Sequence, residues 1–300
     1  MRCLLKSRNR RDLKLAIGTA QFGSDYGIAN KTGKISYADG KKIIDSAYAA
    51  GIDTIDTAIA YGESERQLGL FGVSGWRVVS KLPKLPESVH SIPLWVRNQT
   101  AESIERLGVP NLHGLLVHRV DDLLGSLGNF LFEALLQVQQ AGFVEKVGVS
   151  VYVPEDIDAI LSRFPIDIIQ VPFNIFDRRL LDRGWLCALQ KEGIEVHTRS
   201  VFLQGLLLMQ PESRPNYFRR WQKLWDRWDG WLADTGISPV TACLRYALSE
   251  PAIDRVIVGI DSFAQFEEIL GSASVDVAVP PAELRSDDPD LINPSRWQLS

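Results

Sequence analysis

The sequence predicts an α/β fold: a single-domain (β/α)8 TIM barrel with long loops at its C-terminal mouth. Three observations carry this expectation. Short β-branched runs alternate strictly with amphipathic segments along the 300 residues. The runs are apolar throughout, as strands of a parallel sheet buried on both faces are. There are eight of them, which favours closure into a barrel over an open doubly wound sheet. The first glycines, GTAQFG at residues 18–23, form no GxGxxG, which weakens the open dinucleotide-binding alternative.

In chain order, the first strand is LKLAIG (13–18), followed by the helical pattern SYADGKKIIDSAYAAG (36–51). IDTID (52–56) leads into ESERQLGLFG (63–72), and RVVSK (77–81) into WVRNQTAESIERLG (95–108). GLLVH (114–118) precedes NFLFEALLQVQQAG (129–142), and KVGVS (146–150) precedes PEDIDAILSRF (154–164). DIIQV (167–171) is followed by DRRLLDRGWLCALQKEG (177–193), and EVHTRS (195–200) by a long Trp-rich segment. RVIVG (255–259) and SFAQFEEILGSA (262–273) complete the eight units. Several helical patterns end in glycine, which accepts the left-handed conformation of a helix C-cap. In the Trp-rich segment the tryptophans at 221, 225, 228 and 231 share one helix face, and such stripes are usually buried packing rather than ligand lining. The domain runs over 1–300, with a basic arm at 1–12 and a Pro- and Asp-rich tail at 275–300 expected to lie along the surface without a helix.

Composition narrows the function. With 45% hydrophobic and 23% charged residues and a net charge of −4, the chain reads as an ordinary soluble protein. It has no electrostatic footprint for nucleic acid or an anionic membrane. Cys3, Cys187 and Cys243 lie far apart with no CxxC pair, so neither a disulfide framework nor a zinc knuckle is suggested. No apolar run has the length of a signal peptide core or a membrane span. The expectation is a cytoplasmic protein, monomer or small homo-oligomer, acting on a small molecule.

In such a barrel the site lies at the C-terminal mouth, so polar residues at strand ends matter most. Asp56, Lys81, His118 and Ser150 close the second to fifth strands, and Tyr61 follows Asp56 on the next loop. A lysine ending an apolar strand is costly unless a carboxylate pairs with it, and Asp56 can supply one. A cation beside a phenol would lower the tyrosine pKa from about 10, making Tyr61 a general acid. Each residue alone has a plainer explanation: a loop-bonding Asp56, a core ring at Tyr61, a snorkelling Lys81, a satisfied core His118.

Taken together, DTAIAYGESERQLG (56–69), VVSKLP (78–83), LLVHRVDD (115–122), VGVSVY (147–152), IIQVPFNIFDRR (168–179) and VIVGIDSFAQFEEIL (256–270) resemble the aldo-keto reductases. That family comprises NAD(P)H-dependent (β/α)8 oxidoreductases, and the motifs occur in its order over nearly the whole chain. The resemblance implies a catalytic tetrad of Asp56, Tyr61, Lys81 and His118. Tyr61 would protonate the carbonyl oxygen, Lys81 held by Asp56 would tune the phenol, and His118 would orient the carbonyl. It also implies that Ser150 and Gln170 hold the nicotinamide carboxamide, and that Ser200, Leu203, Gln204 and Gly205 cradle the pyrophosphate. Gly259, Ser262, Gln265 and Glu268 would meet the adenosine end.

Departures are equally specific. Val151 stands where many members carry Asn, and Arg199 where an aromatic or apolar residue usually stacks. Asn174 shapes either the mouth or a structural turn. Family habit implies NADP(H), whereas Asp261 near the place of a 2′-phosphate clamp would repel that group and suit a ribose hydroxyl, leaving NAD(H) open. The implied activity is reduction of an aldehyde or ketone, sugar-like carbonyls included, with specificity set by residues 206–236 and the tail. A cofactor-binding sensor on the same barrel is the alternative. A metal-dependent hydrolase fits poorly with four histidines, none in an HxH pair.

Overall fold

In the computed structural model, which describes residues 13–30, 32–275 and 277–299, eight parallel strands close into a barrel in sequence order. The strands are β1 (Leu15–Gly18), β2 (Thr54–Asp56), β3 (Arg77–Leu82), β4 (Leu112–Val117), β5 (Val144–Ser150), β6 (Ile168–Pro172), β7 (Glu195–Arg199) and β8 (Arg255–Gly259). Each matches one predicted run to within two residues at either end. The expected basic arm at 1–12 lies outside the described residues. No helix among the described residues is long and apolar enough to cross a membrane.

Strand register decides what meets at the mouth. Successive side chains point to opposite faces, and the pairings Gly18↔Asp56, Asp56↔Val79, Lys81↔Leu116, Gly148↔Ile168, Ser150↔Gln170, Gln170↔His197 and Gly18↔Gly259 connect one inward-facing set. Val79, Leu116 and Ile168 form a small buried cluster of their own, a hydrocarbon plug across the barrel. Above it sit Asp56, Lys81, Ser150, Gln170 and Arg199. Below it, Glu195 is bonded by Lys146, by His197 Nε2 at 2.6 Å and by His113 Nε2 at 3.3 Å, and Arg255 pairs with Asp53 at 3.0 Å.

The helices follow the predicted pattern, with the short helices Ala20–Gly23 and Val120–Leu124 added and three larger differences. Residues 177–193 do not form one helix: Gly184, at φ 78°, separates Arg179–Asp182 from Trp185–Lys191. A second helix after β7, Pro239–Ser249, was not anticipated. Its signal was present in the Ser238–Pro239 start, where the Ser238 hydroxyl caps the helix by accepting from the Thr241 amide at 3.2 Å. The tail also differs from expectation. It carries the one-turn helix Pro289–Ile292, and Leu284, Leu291 and Ile292 are buried.

The Trp stripe explains that burial. On the helix Gln222–Thr235, Trp225 and Trp228 are buried against Phe176, with ring centroids 5.1 and 5.9 Å away. Trp221 donates to Asp288 at 2.9 Å, and Phe218 meets Trp297 edge-on at 5.0 Å. The tail thus docks on apolar surface that this helix would otherwise expose.

Candidate active site at the barrel mouth

Lys81 has no exposed surface and is fully committed: its Nζ donates to both Asp56 oxygens at 2.8 and 2.7 Å and to the Thr57 carbonyl at 2.8 Å. Gln170 Nε2 also donates to Asp56 Oδ1, at 2.6 Å, while Gln170 Oε1 accepts from Ser150 at 3.3 Å. The two residues expected only to hold a carboxamide therefore extend the Asp56–Lys81 pair. Sequence reasoning missed this link because it depends on register between β2 and β6, which sit across the barrel.

Tyr61 lies on the loop after β2, and the polar residues of its motif fix that loop. Ser64 Oγ donates to the Thr19 carbonyl at 3.0 Å and contacts Thr57 Oγ1 at 3.2 Å, while Thr19 Oγ1 donates to the Asp56 carbonyl at 3.0 Å. Buried Glu65 accepts from Ser80 and Ser103 at 2.6 Å and from Arg106 Nε at 2.9 Å, tying the same loop to β3 beside Lys81. The turn at Gly62 packs backbone against backbone on Gly23. A Cβ at Gly23 would stand 1.6 Å from the Tyr61 carbonyl oxygen, and one at Gly62, at φ +54°, 2.7 Å from the Gly23 carbonyl oxygen. Gly23→Ala should therefore push the Tyr61 loop outward. We expect a loss of about 1–3 kcal/mol in unfolding free energy and a fall in kcat larger than any change in KM. Unchanged kcat would show that the loop does not rely on this contact.

The Tyr61 and His118 rings meet edge to face with centroids 5.8 Å apart, and Lys81 Nζ lies 5.2 Å from the Tyr61 ring centroid. No described residue hydrogen-bonds the Tyr61 hydroxyl or either His118 nitrogen. The four tetrad residues are thus brought together at one end of the barrel. The electrostatics differ from expectation in one respect. Burial first, and then the Asp56 carboxylate, push the Tyr61 phenol well above its usual range, while Arg199 pulls it down. Lys81 cannot lower it in the way a bare cation would, because its charge is matched by Asp56 at contact. Burial pulls Lys81 itself below its ordinary value against the opposing pull of Asp56. His118 is lowered to about 4, by burial and then by the Lys81 charge, so its ring is neutral at physiological pH.

Beside this group opens a cleft of about 120 Å3 that is continuous with solvent. Gln170, Ser200, Gln204, Gly205, Gly259 and Gln265 of the predicted cofactor set line it, together with Asp56, Tyr61, Arg199 and Asp261. Gly18 and Gly259 present bare backbone to it. Ser150, Leu203, Ser262 and Glu268 do not line it. Ser150 reaches it only through Gln170, and Leu203 is buried in the core. The Ser262 hydroxyl caps the helix Phe263–Ser272 by accepting from the Gln265 amide at 3.2 Å, and Glu268 is exposed farther along it.

The loop after β7 is strained: Ser200, Leu203 and Gln204 have φ of 63°, 49° and 54°, rare for residues other than glycine. Asn174 supports it. Its Nδ2 donates to the Ser200 carbonyl at 3.1 Å, while its Oδ1 accepts from the amides of Phe176 and Asp177 at 2.9 Å. That places Asn174 in the structural turn rather than at the mouth. Two of the four expected phosphate donors are already used, since the Leu203 and Gly205 amides donate to the Ser200 and Phe202 carbonyls at 2.9 Å. The bare backbone at Gly18 and Gly259 and the side chains of Ser200 and Gln204 are the groups that would meet a nicotinamide dinucleotide along the cleft.

Known proteins resemble this chain in sequence and in fold. The model of the aldo/keto reductase family matches residues 14–280. An aldo-keto reductase, str7, of Strobilurus tenacellus is 29% identical over 190 residues, covering 60% of this chain but only 56% of its own length. An L-galactose dehydrogenase of Arabidopsis thaliana is 26% identical over 274 residues, 85% of this chain and 83% of that protein. Among solved structures, aldo-keto reductase AKR11C1 from Bacillus halodurans, holo form, superposes with a TM-score of 0.68 at 20% identity, covering 89% of this chain and 88% of that one. Glycerol dehydrogenase AKR11B4 from Gluconobacter oxydans gives 0.67 at 21%, covering 88% of each chain. At those identities the superpositions speak for the fold alone.

Proposed function

Because the chain belongs to the aldo/keto reductase family of oxidoreductases, we propose that it reduces an aldehyde or ketone, sugar-like carbonyls included, to the alcohol with NAD(P)H. In this reading Tyr61 is the general acid. The observation that carries it is the phenol at the cleft wall, edge-on to a neutral imidazole 5.8 Å away, beside a buried Asp56–Lys81 pair. A bound dihydronicotinamide would supply the hydride. Tyr61 donates its hydroxyl proton to the carbonyl oxygen as negative charge develops there. His118, neutral above pH about 4, steadies the same oxygen with a ring N–H. Lys81 stands 5.2 Å from the Tyr61 ring centroid, held there by both Asp56 oxygens, and Gln170 in turn bonds Asp56. Such preorganised stabilisation is usually the largest protein contribution to a reaction of this kind.

The cofactor's 2′ position is read in opposite directions by two features. Family habit points to NADP(H). Against a 2′-phosphate stands Asp261, which lines the cleft and accepts from Gln21 Nε2 at 3.2 Å, and among the described residues that line the cleft Arg199 is the only lysine or arginine. Fluorescence titration with NADH and NADPH decides between them, and stopped-flow oxidation of the tighter one by a panel of aldehydes and ketones tests the activity. Failure of every carbonyl to oxidise it would favour a cofactor-binding regulatory barrel instead.

A pH dependence follows. His118 is already neutral above about 4, and Tyr61 stays protonated past the usual phenol range. The single-turnover rate of hydride transfer should therefore be level between about pH 5 and 9. A transition near the ordinary imidazole value would show that His118 acts in its charged form.

A further inference from the structure

Five cations face inward from the barrel strands. Arg77 and Arg255 meet Asp53 at 3.8 and 3.0 Å, Lys146 meets Glu195, and Lys81 meets Asp56 at 2.7 Å. Arg199, the fifth, has no carboxylate partner among the described residues. It closes β7 two residues beyond His197, which pairs with Gln170, and so points to the same inward face nearer the mouth. Its side chain is held rather than loose: Nη2 donates to the Val151 carbonyl at 2.9 Å, Nη1 to Ser200 Oγ at 3.1 Å, and Cζ lies 4.5 Å from the centre of the Tyr152 ring.

A half-buried guanidinium without a counter-ion is costly, and of its five N–H donors two meet neutral acceptors, leaving the others for a ligand in the cleft. The charge balance sharpens this. Asp56 and Lys81 cancel, and Tyr61 and His118 are neutral, so the catalytic end of the cleft carries the single positive charge of Arg199. Tyr26 and Gln204 line the same cleft, joined by a bond from Gln204 Nε2 to the Tyr26 hydroxyl at 3.4 Å, and add polar groups beside it.

Resting on the reductase reading, we propose that Arg199 is a specificity-determining residue that receives an anionic substituent of the substrate, and that the preferred substrates are carbonyl compounds bearing a carboxylate. A planar guanidinium matches a carboxylate through paired N–H donors. The Val151 and Ser200 bonds fix its orientation before substrate arrives, so little ordering is required on binding.

Two measurements separate this proposal from the reading it rests on. The first needs no turnover: calorimetric binding of 4-(hydroxymethyl)benzoate and of benzyl alcohol to the cofactor-loaded protein. Wild type should bind the carboxylate roughly ten- to a hundredfold more tightly than the neutral alcohol. Arg199→Gln should erase that ratio and Arg199→Lys retain part of it. The second compares kcat/KM for 4-carboxybenzaldehyde and 4-nitrobenzaldehyde. Arg199→Gln should lower the ratio of kcat/KM for the former over the latter by roughly tenfold or more, over and above any loss common to both that follows from its place near Tyr61. Selective carboxylate binding without reduction of either aldehyde would keep the Arg199 assignment and overturn the reductase reading. Equal losses for charged and neutral compounds, or a changed NAD(P)H affinity with the charged-to-neutral ratio intact, would overturn the assignment and make Arg199 a cofactor or folding residue. Circular dichroism of each variant excludes a folding loss as the cause.

Discussion

Tyr61→Phe is expected to lower turnover by roughly two to four orders of magnitude while leaving the dissociation constant for the nicotinamide cofactor nearly unchanged. The substitution removes one oxygen and keeps the ring, so the edge contact with His118 at 5.8 Å survives and the loop keeps its seat on Gly23. What disappears is the proton. With no hydroxyl on that ring, charge developing on the carbonyl oxygen is met by the His118 hydrogen bond alone. The measurement is stopped-flow cofactor oxidation beside a fluorescence titration on the same preparation. Turnover within a few-fold of wild type would remove Tyr61 from the chemistry and move attention to His118, which reaches the same space. A large loss of cofactor binding would instead mean that the hydroxyl belongs to the binding surface.

Asp56→Asn should destabilise the fold more than any other single change at the mouth. Lys81 is completely buried, and its ammonium would be left with an amide and the Thr57 carbonyl. Breaking a buried ion pair by removing one partner costs about 3–5 kcal/mol, which for a chain of this size lowers Tm by on the order of 10 °C. The double substitution Asp56→Asn with Lys81→Met tests the cause. It removes the stranded charge and should recover most of the lost stability, measured by denaturant titration, while leaving turnover low. If the single variant melts with wild type, the pair contributes nothing to folding. If the double variant melts no higher than the single one, the loss comes from packing rather than from charge.

Most of the fold was legible because its signals are local. Each of the eight strands is a short apolar run bounded by turn residues, and helix ends such as Gly72, Gly108 and Gly236, at φ of 82°, 63° and 67°, announce themselves by residue type. The misreadings are equally physical. The helix expected over 177–193 contains Gly184, and one left-handed residue suffices to split it. The tail looked like surface chain because Pro and Asp dominate it, yet Leu284, Leu291 and Ile292 find apolar surface raised by a helix far back in the sequence. No local pattern records a partner so distant.

The same division holds at the site. The sequence by itself determined which residues reach the mouth, since period-two alternation and strand ends place Asp56, Lys81 and His118 there, and the spacing of the motif brings Tyr61 after them. Only the tertiary structure decided how they are charged and supported. That Gln170 bonds Asp56, that Gly23 seats the Tyr61 turn, that the phenol is raised rather than lowered and that Arg199, of the inward-facing strand cations, lacks a carboxylate among the described residues all depend on contacts between segments remote in sequence. Burial and charge pairing are sums over neighbours in space, and closing the barrel is what makes those residues neighbours.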